Sequence, residues 1–237
     1  MRHNVIKTAV FSLPKMALLT IFLTGILFAA RGDLISAAIL STRSVNNNQA
    51  YIDTELSEIV SDQFSIDPVQ YGFWLYKITY ETIDIHGNTY IATGSVCYPR
   101  VDWPDIPNQA FPILSYQHGT VVEKSDATSV NGEWILPAIL TGSGYVYVEP
   151  DYLGLGESEG RHPYQLKEPY GTAVVDMLRA VRYYAAFEND QFLVNDQLFL
   201  TGYSEGGYAT MATHQIIERD YSNEFNIAVS FPLAGAY

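Results

Sequence analysis

The sequence predicts an α/β fold, a mostly parallel sheet with an antiparallel N-terminal hairpin. Two strand-length runs rich in β-branched and aromatic residues flank a tight glycine turn, the pattern of a hairpin. After them, short apolar runs alternate with a helical apolar stripe, the pattern of β-α-β units with helices covering the sheet. Three of the predicted strands also end in residues capable of chemistry, and in open α/β sheets the reactive loops gather at strand C-termini.

The elements follow in chain order. Arg2, Lys7 and Lys15 precede an uncharged, mostly apolar run at residues 16–30, "MALLTIFLTGILFAA". This is the order of an export signal, and the run is short for a bilayer span of about 20 residues. Residues 1–38 are therefore expected to form a signal peptide, with Ser36 and Ala38 as a small-residue cleavage pair; an uncleaved membrane anchor is the alternative. Residues 39–70, including "SVNNNQAY", are polar and irregular and read as a linker or extended lead-in. The folded domain is expected over residues 71–237. Its hairpin comprises residues 73–85 and 88–98 around "HGN", where Gly87 supplies the turn. Further strands are expected at residues 111–117, 144–150, 197–202 and 226–233. Between the second and third of these, Val174, Met177, Leu178, Val181 and Ala185 recur at helical spacing, with Asp176, Arg179 and Arg182 on other faces.

Composition narrows the function classes. Asp and Glu number 26 against 13 Lys and Arg, a net charge of -13, which argues against a nucleic-acid partner because phosphate binding needs a basic surplus. No cluster of histidine or cysteine has metal-ligand spacing, and no cofactor is expected. The single cysteine, Cys97, has no disulfide partner within the chain and reads as a small apolar group in a strand.

The most informative stretch is "FLTGYSEGGYAT" at residues 199–210. Gly202, Ser204 and Gly206 fit G-x-S-x-G, in which a serine occupies a strained strand-to-helix turn and the glycines prevent clashes. "LFL" supplies the strand before it, and residues 208–219 supply the helix after it. Ser204 would face the positive end of that helix, which favours negative charge developing at the reacting centre. The competing structural reading is a serine that merely caps the helix. Glu205 is expected to contribute its backbone N–H to an oxyanion hole, with its carboxylate turned elsewhere, because a carboxylate aimed at an oxyanion opposes the chemistry. The second donor is expected from "QHGT" at residues 117–120, from the Thr120 N–H or alternatively the Gly119 N–H. His118, in that glycine turn, reads as a loop-orienting residue. Asp151 in "DYLGLGES" and His162 in "GRHPY" also read as structural.

Three motifs in this order, "YQHGT", "EPDYLGLGES…HPY" and "GYSEGGYATM", resemble the α/β-hydrolase superfamily, and within it the secretory lipases of fungi and their bacterial relatives. The resemblance covers about residues 73–237. It implies the α/β-hydrolase fold, with Ser204 as nucleophile, backbone donors at Thr120 and Glu205, and carboxylic esters of a lipid-like kind as substrates, with transient contact at a membrane or lipid interface. It also implies a chain order of serine, acid, then histidine. Beyond Ser204 the sole histidine is His214 and the acids are Glu205, Glu218, Asp220 and Glu224. His214 lies ten residues along the same predicted helix, about 15 Å along the axis at 1.5 Å per residue, whereas a base must come within about 3 Å. Neither triad acid nor histidine is identifiable, so the domain is expected to be incomplete at its C-terminus and the chain to be a fragment of an exported serine ester hydrolase. Two alternatives stand beside it: a remnant or binding protein that keeps the pocket without the chemistry, and a peptidase or amidase using the same apparatus.

Overall fold

The computed structural model describes residues 32–59, 66–101, 109–132, 135–188 and 192–237. The predicted signal run at residues 16–30 lies outside them. Within them, seven strands form one sheet: β1 (Leu34–Arg43), β2 (Gly72–Ile83), β3 (Thr89–Arg100), β4 (Ala110–Gln117), β5 (Val146–Pro150), β6 (Leu193–Tyr203) and β7 (Asn226–Leu233), in the order β1-β2-β3-β5-β4-β6-β7. β1, β2, β3 and β5 pair antiparallel in turn, whereas β4 runs parallel to β5 and β6, and β6 runs parallel to β7. The expected hairpin is β2 and β3. Its turn is built by Asp84, whose Oδ1 accepts the N–H groups of His86 and Asn88, and by Gly87 at φ +82°.

Helices cover both faces. The longer two are α4 (Lys167–Tyr183) and α5 (Glu205–Asp220), which enclose one apolar core with β2, β3, β5 and β6. On the other face α1 (Val45–Ile59) and α3 (Ile135–Gly142) pack around Ile52, Phe73, Leu75, Cys97 and Tyr147, while the one-turn α2 (Thr128–Asn131) lies ahead of α3. Cys97 sits within β3 in this second core, and burial pushes its thiol up to about 12, so it packs as an apolar group. All five residues of β5 are buried, as a central strand covered on both faces requires.

One expectation needs correction. Residues 39–59 are not a linker: half of β1 and all of α1 fall there. β1 is an edge strand with a mostly exposed face, so it lacks the apolar alternation that announces a strand, yet it pairs with β2 from Leu34 to Arg43. The Ser36–Ala38 cleavage pair lies inside that ladder. In α1 only Asn48 and Ile52 are buried. Asn48 Nδ2 donates to the carbonyls of Tyr71 and Ala138, so an asparagine whose type suggests a loop holds a helix to its neighbours. Asp176, off the apolar stripe of α4, is nonetheless buried, accepting from the Thr82 hydroxyl at 2.8 Å and pairing with Arg179 at 2.9 Å.

Candidate active site

The elbow is built from three strand ends. Ser204, between β6 and α5, has φ +60° and ψ −120°, a region that non-glycine residues occupy only when their surroundings impose it. The surroundings are severe. A Cβ on Gly206 would lie 1.8 Å from the Gln117 carbonyl oxygen, one on Gly202 would lie 2.4 Å from that of Gly206, and one on Gly207 would lie 2.3 Å from that of Leu233. The Ser204 N–H donates to Leu233 O at 3.0 Å, so the end of β7 supports the turn. Gln117, fully buried beneath it, accepts from Thr210 through its side-chain oxygen. Ser204 occupies the N-cap position of α5 without a side-chain capping bond, and the residue is exposed at the helix N-terminus.

The loop after β4 abuts this turn: a Cβ on Gly119 would stand 4.0 Å from Ser204 Cβ. His118 orients the loop from within. Its Nδ1 lies 2.7 Å from Gly119 O and its Nε2 lies 3.3 Å from Asp151 O, with its ring against Tyr152. Asp151 is buried and accepts from Thr93 and Ser129; burial pushes its carboxyl up, with those hydrogen bonds in partial opposition. Both residues therefore brace loops rather than face the elbow hydroxyl. Beside the loop opens a cleft of about 540 Å³, lined by Thr120, Val121, Ile135, Leu136, Tyr147 and Glu149 among others. At that cleft the buried Glu149 carboxyl accepts from Thr128 and Tyr147.

The Glu205 side chain turns away from the elbow into the protein. Its Oε1 accepts from the Tyr170 hydroxyl and lies 2.7 Å from His162 Nε2. Burial pushes this carboxyl up, but hydrogen bonds from His162 and Tyr170, with the Thr120 hydroxyl adding to them, outweigh it and hold it below the usual range. His162 is thus a partner of Glu205, which sequence reading missed: 43 residues separate them, and only the fold brings them together. His214 sits on the outer part of α5 and pairs with Glu218 one turn on, at 3.2 Å. Among the described residues no group of His, Cys, Asp and Glu is arranged to hold a metal ion, and no helix is long and apolar enough to cross a membrane.

Strand order, helix cover and a serine at a glycine-walled strand-to-helix turn together define the α/β-hydrolase fold. The rice cell wall degrading esterase LipA from Xanthomonas oryzae shares 27% identity at a TM-score of 0.74, over 87% of this chain and 51% of LipA. A Legionella pneumophila protein, provisionally assigned as a hydrolase, shares 32% identity at a TM-score of 0.73, over 86% of this chain and 52% of its own. Candida antarctica lipase A, at 19% identity and a TM-score of 0.52 over 85% of this chain and 42% of its own, shares the fold alone. The chain therefore spans about half the length of the structures it resembles. The family model of the prolyl oligopeptidase family matches residues 135–230. No curated protein sequence matches the chain.

Proposed function

We propose that this chain carries the nucleophile and oxyanion half of an exported serine ester hydrolase of the secretory lipase type. The observation that carries the proposal is the Ser204 backbone, held at φ +60° by glycines that admit no side chain, because such strain persists where it presents a reactive group. Ser204 Oγ attacks an ester carbonyl while its proton passes to the histidine expected after the nucleophile in chain order, which then hands it to the leaving alcohol. The resulting oxyanion is met by the N–H groups of Glu205 and Thr120 and by the N-terminus of α5, the alcohol departs, and water releases the acid from the acyl-enzyme. The likeness to LipA supports an ester substrate, with the cleft beside Thr120 as the place for one of its arms. A small-molecule or lipid ester fits a cleft of this mixed lining. Export follows from the N-terminal charge and apolar order. The acid and histidine are expected in the part of the hydrolase that follows the nucleophile in chain order.

A second reading, a peptidase or amidase, is favoured by the match to the prolyl oligopeptidase family. Turnover of p-nitrophenyl esters of graded acyl length against aminoacyl p-nitroanilides, by the full-length hydrolase and by its Ser204→Ala variant, tests both. Ester turnover lost in the variant is the expected result. A preference for the anilides favours the peptidase reading, and identical rates for the full-length protein and its variant leave the binding-protein reading.

A further inference from the structure

The "HPY" segment at residues 162–164 has no part in the chemistry proposed above, yet it touches both residues assigned as oxyanion donors. His162 Nε2 lies 2.7 Å from Glu205 Oε1, and Tyr164 Oη lies 3.2 Å from Thr120 Oγ1. Pro163 stands between these two grips with its ring-fixed φ, and the Tyr164 N–H donates back to His162 O at 3.0 Å, so the spacing between them is set by a closed turn. The segment is itself anchored. His162 Nδ1 faces Leu153 O at 2.9 Å, and the Gln165 N–H donates to the Tyr170 hydroxyl, which in turn donates to Glu205. Three loops, after β4, β5 and β6, are thereby tied through one carboxylate.

We infer that His162 and Tyr164 are positioning residues, a three-residue staple that fixes the separation of the Glu205 and Thr120 backbone N–H groups. The inference rests on the reading of those groups as an oxyanion hole. Its physical basis is that the two donors lie on separate loops, and that a hole works only when its donors stand about 2.7–3.1 Å from one oxygen position. The loop after β4 is short and exposed at Thr120, and this segment adds a second grip, through Tyr164, to the contact that the Thr120 hydroxyl itself makes with the Glu205 carboxylate. Glu205 cannot loosen without dragging its own N–H, because carboxylate and donor belong to the same residue.

The test is backbone hydrogen exchange on the full-length hydrolase, with the labelling rate of Ser204 by a fluorophosphonate measured on the same samples. Asn at position 162 keeps a donor near Leu153 O but does not reach Glu205, whereas Gln places its amide where Nε2 stands. His162→Asn is expected to speed exchange at residues 118–122 and 203–208 about tenfold relative to the rest of the sheet, the scale of a local opening, and His162→Gln to restore it. Tyr164→Phe, which removes one hydroxyl, is expected to speed exchange at 118–122 alone. Phosphonylation should slow in His162→Asn and Tyr164→Phe and recover in His162→Gln. Unchanged exchange in those two segments, or faster exchange spread evenly over the molecule, overturns the staple whatever the labelling shows. An intact exchange pattern with no labelling of the wild-type serine rejects Ser204 as nucleophile and leaves the staple standing. If His162→Asn does not fold, Tyr164→Phe decides alone.

Discussion

At Gly206 a single methyl group has nowhere to go: its carbon would stand 1.8 Å from a backbone oxygen of β4, and backbone cannot rotate aside as a flexible side chain can. Gly206→Ala is therefore expected to destabilise the fold by about 3 kcal/mol or more, at the upper end of overpacking, read as a fall in the denaturant midpoint. Gly87→Ala, with open space around its Cβ, carries only the strain of a positive φ, about 1 kcal/mol. Equal losses for the two would contradict the account of the elbow. The buried carboxyls give a second residue-scale prediction, with opposite signs. Glu205 is held below the usual range, so its contribution is present at pH above its unfolded value, about 4.3, and is lost as pH falls through the folded value. Asp151 and Glu149 are pushed up, so each favours folding in mild acid and loses that contribution as pH rises from the ordinary carboxylate range through its folded value. The melting temperature should therefore rise from neutral pH into mild acid and fall below about pH 4. Glu205→Gln should flatten the acid limb, and Asp151→Asn the rise; a variant that leaves its limb unchanged contradicts the assignment.

Elements differ in how much of them the sequence shows. The hairpin, β4 to β7 and α5 were legible because each carries a local signal: β-branched runs, a turn glycine, or an apolar stripe with a glycine-serine boundary. β1 and α1 carry none. β1 lies at the sheet edge, where few side chains need be apolar, and α1 buries only Asn48 and Ile52, too few to set a period. Both are held by contacts distant in sequence, as Asn48 is by Ala138, 90 residues away. A chain starting at Asp33 should keep the whole β1 ladder, whereas one starting at Ile39 loses Leu34–Ala38 and their pairing with residues 77–80 of β2. At about 1 kcal/mol net for each ladder hydrogen bond, the shorter chain should melt measurably lower. Identical melting of the two would show that the N-terminal half of β1 contributes nothing, and would restore Ala38 as an acceptable processing point.

For the whole molecule, a mixed sheet covered on both faces, parallel from β5 to β7, places three strand ends side by side, and this is what turns separate motifs into a site. The serine and its glycines were legible because a nucleophile elbow is a local backbone problem with one compact solution. The partners of Glu205 were not, because they depend on how the loop after β5 folds over α5. Carboxylate, imidazole and phenol come from residues 205, 162 and 170 and meet only in the finished fold. The most direct test of the central claim is to expose the purified full-length hydrolase to a fluorophosphonate and locate the adduct by peptide mass spectrometry. The account predicts modification at Ser204 in the folded protein, abolished by Ser204→Ala and by prior unfolding. A folded chain that remains unmodified at Ser204, or is modified equally at other serines, would contradict it.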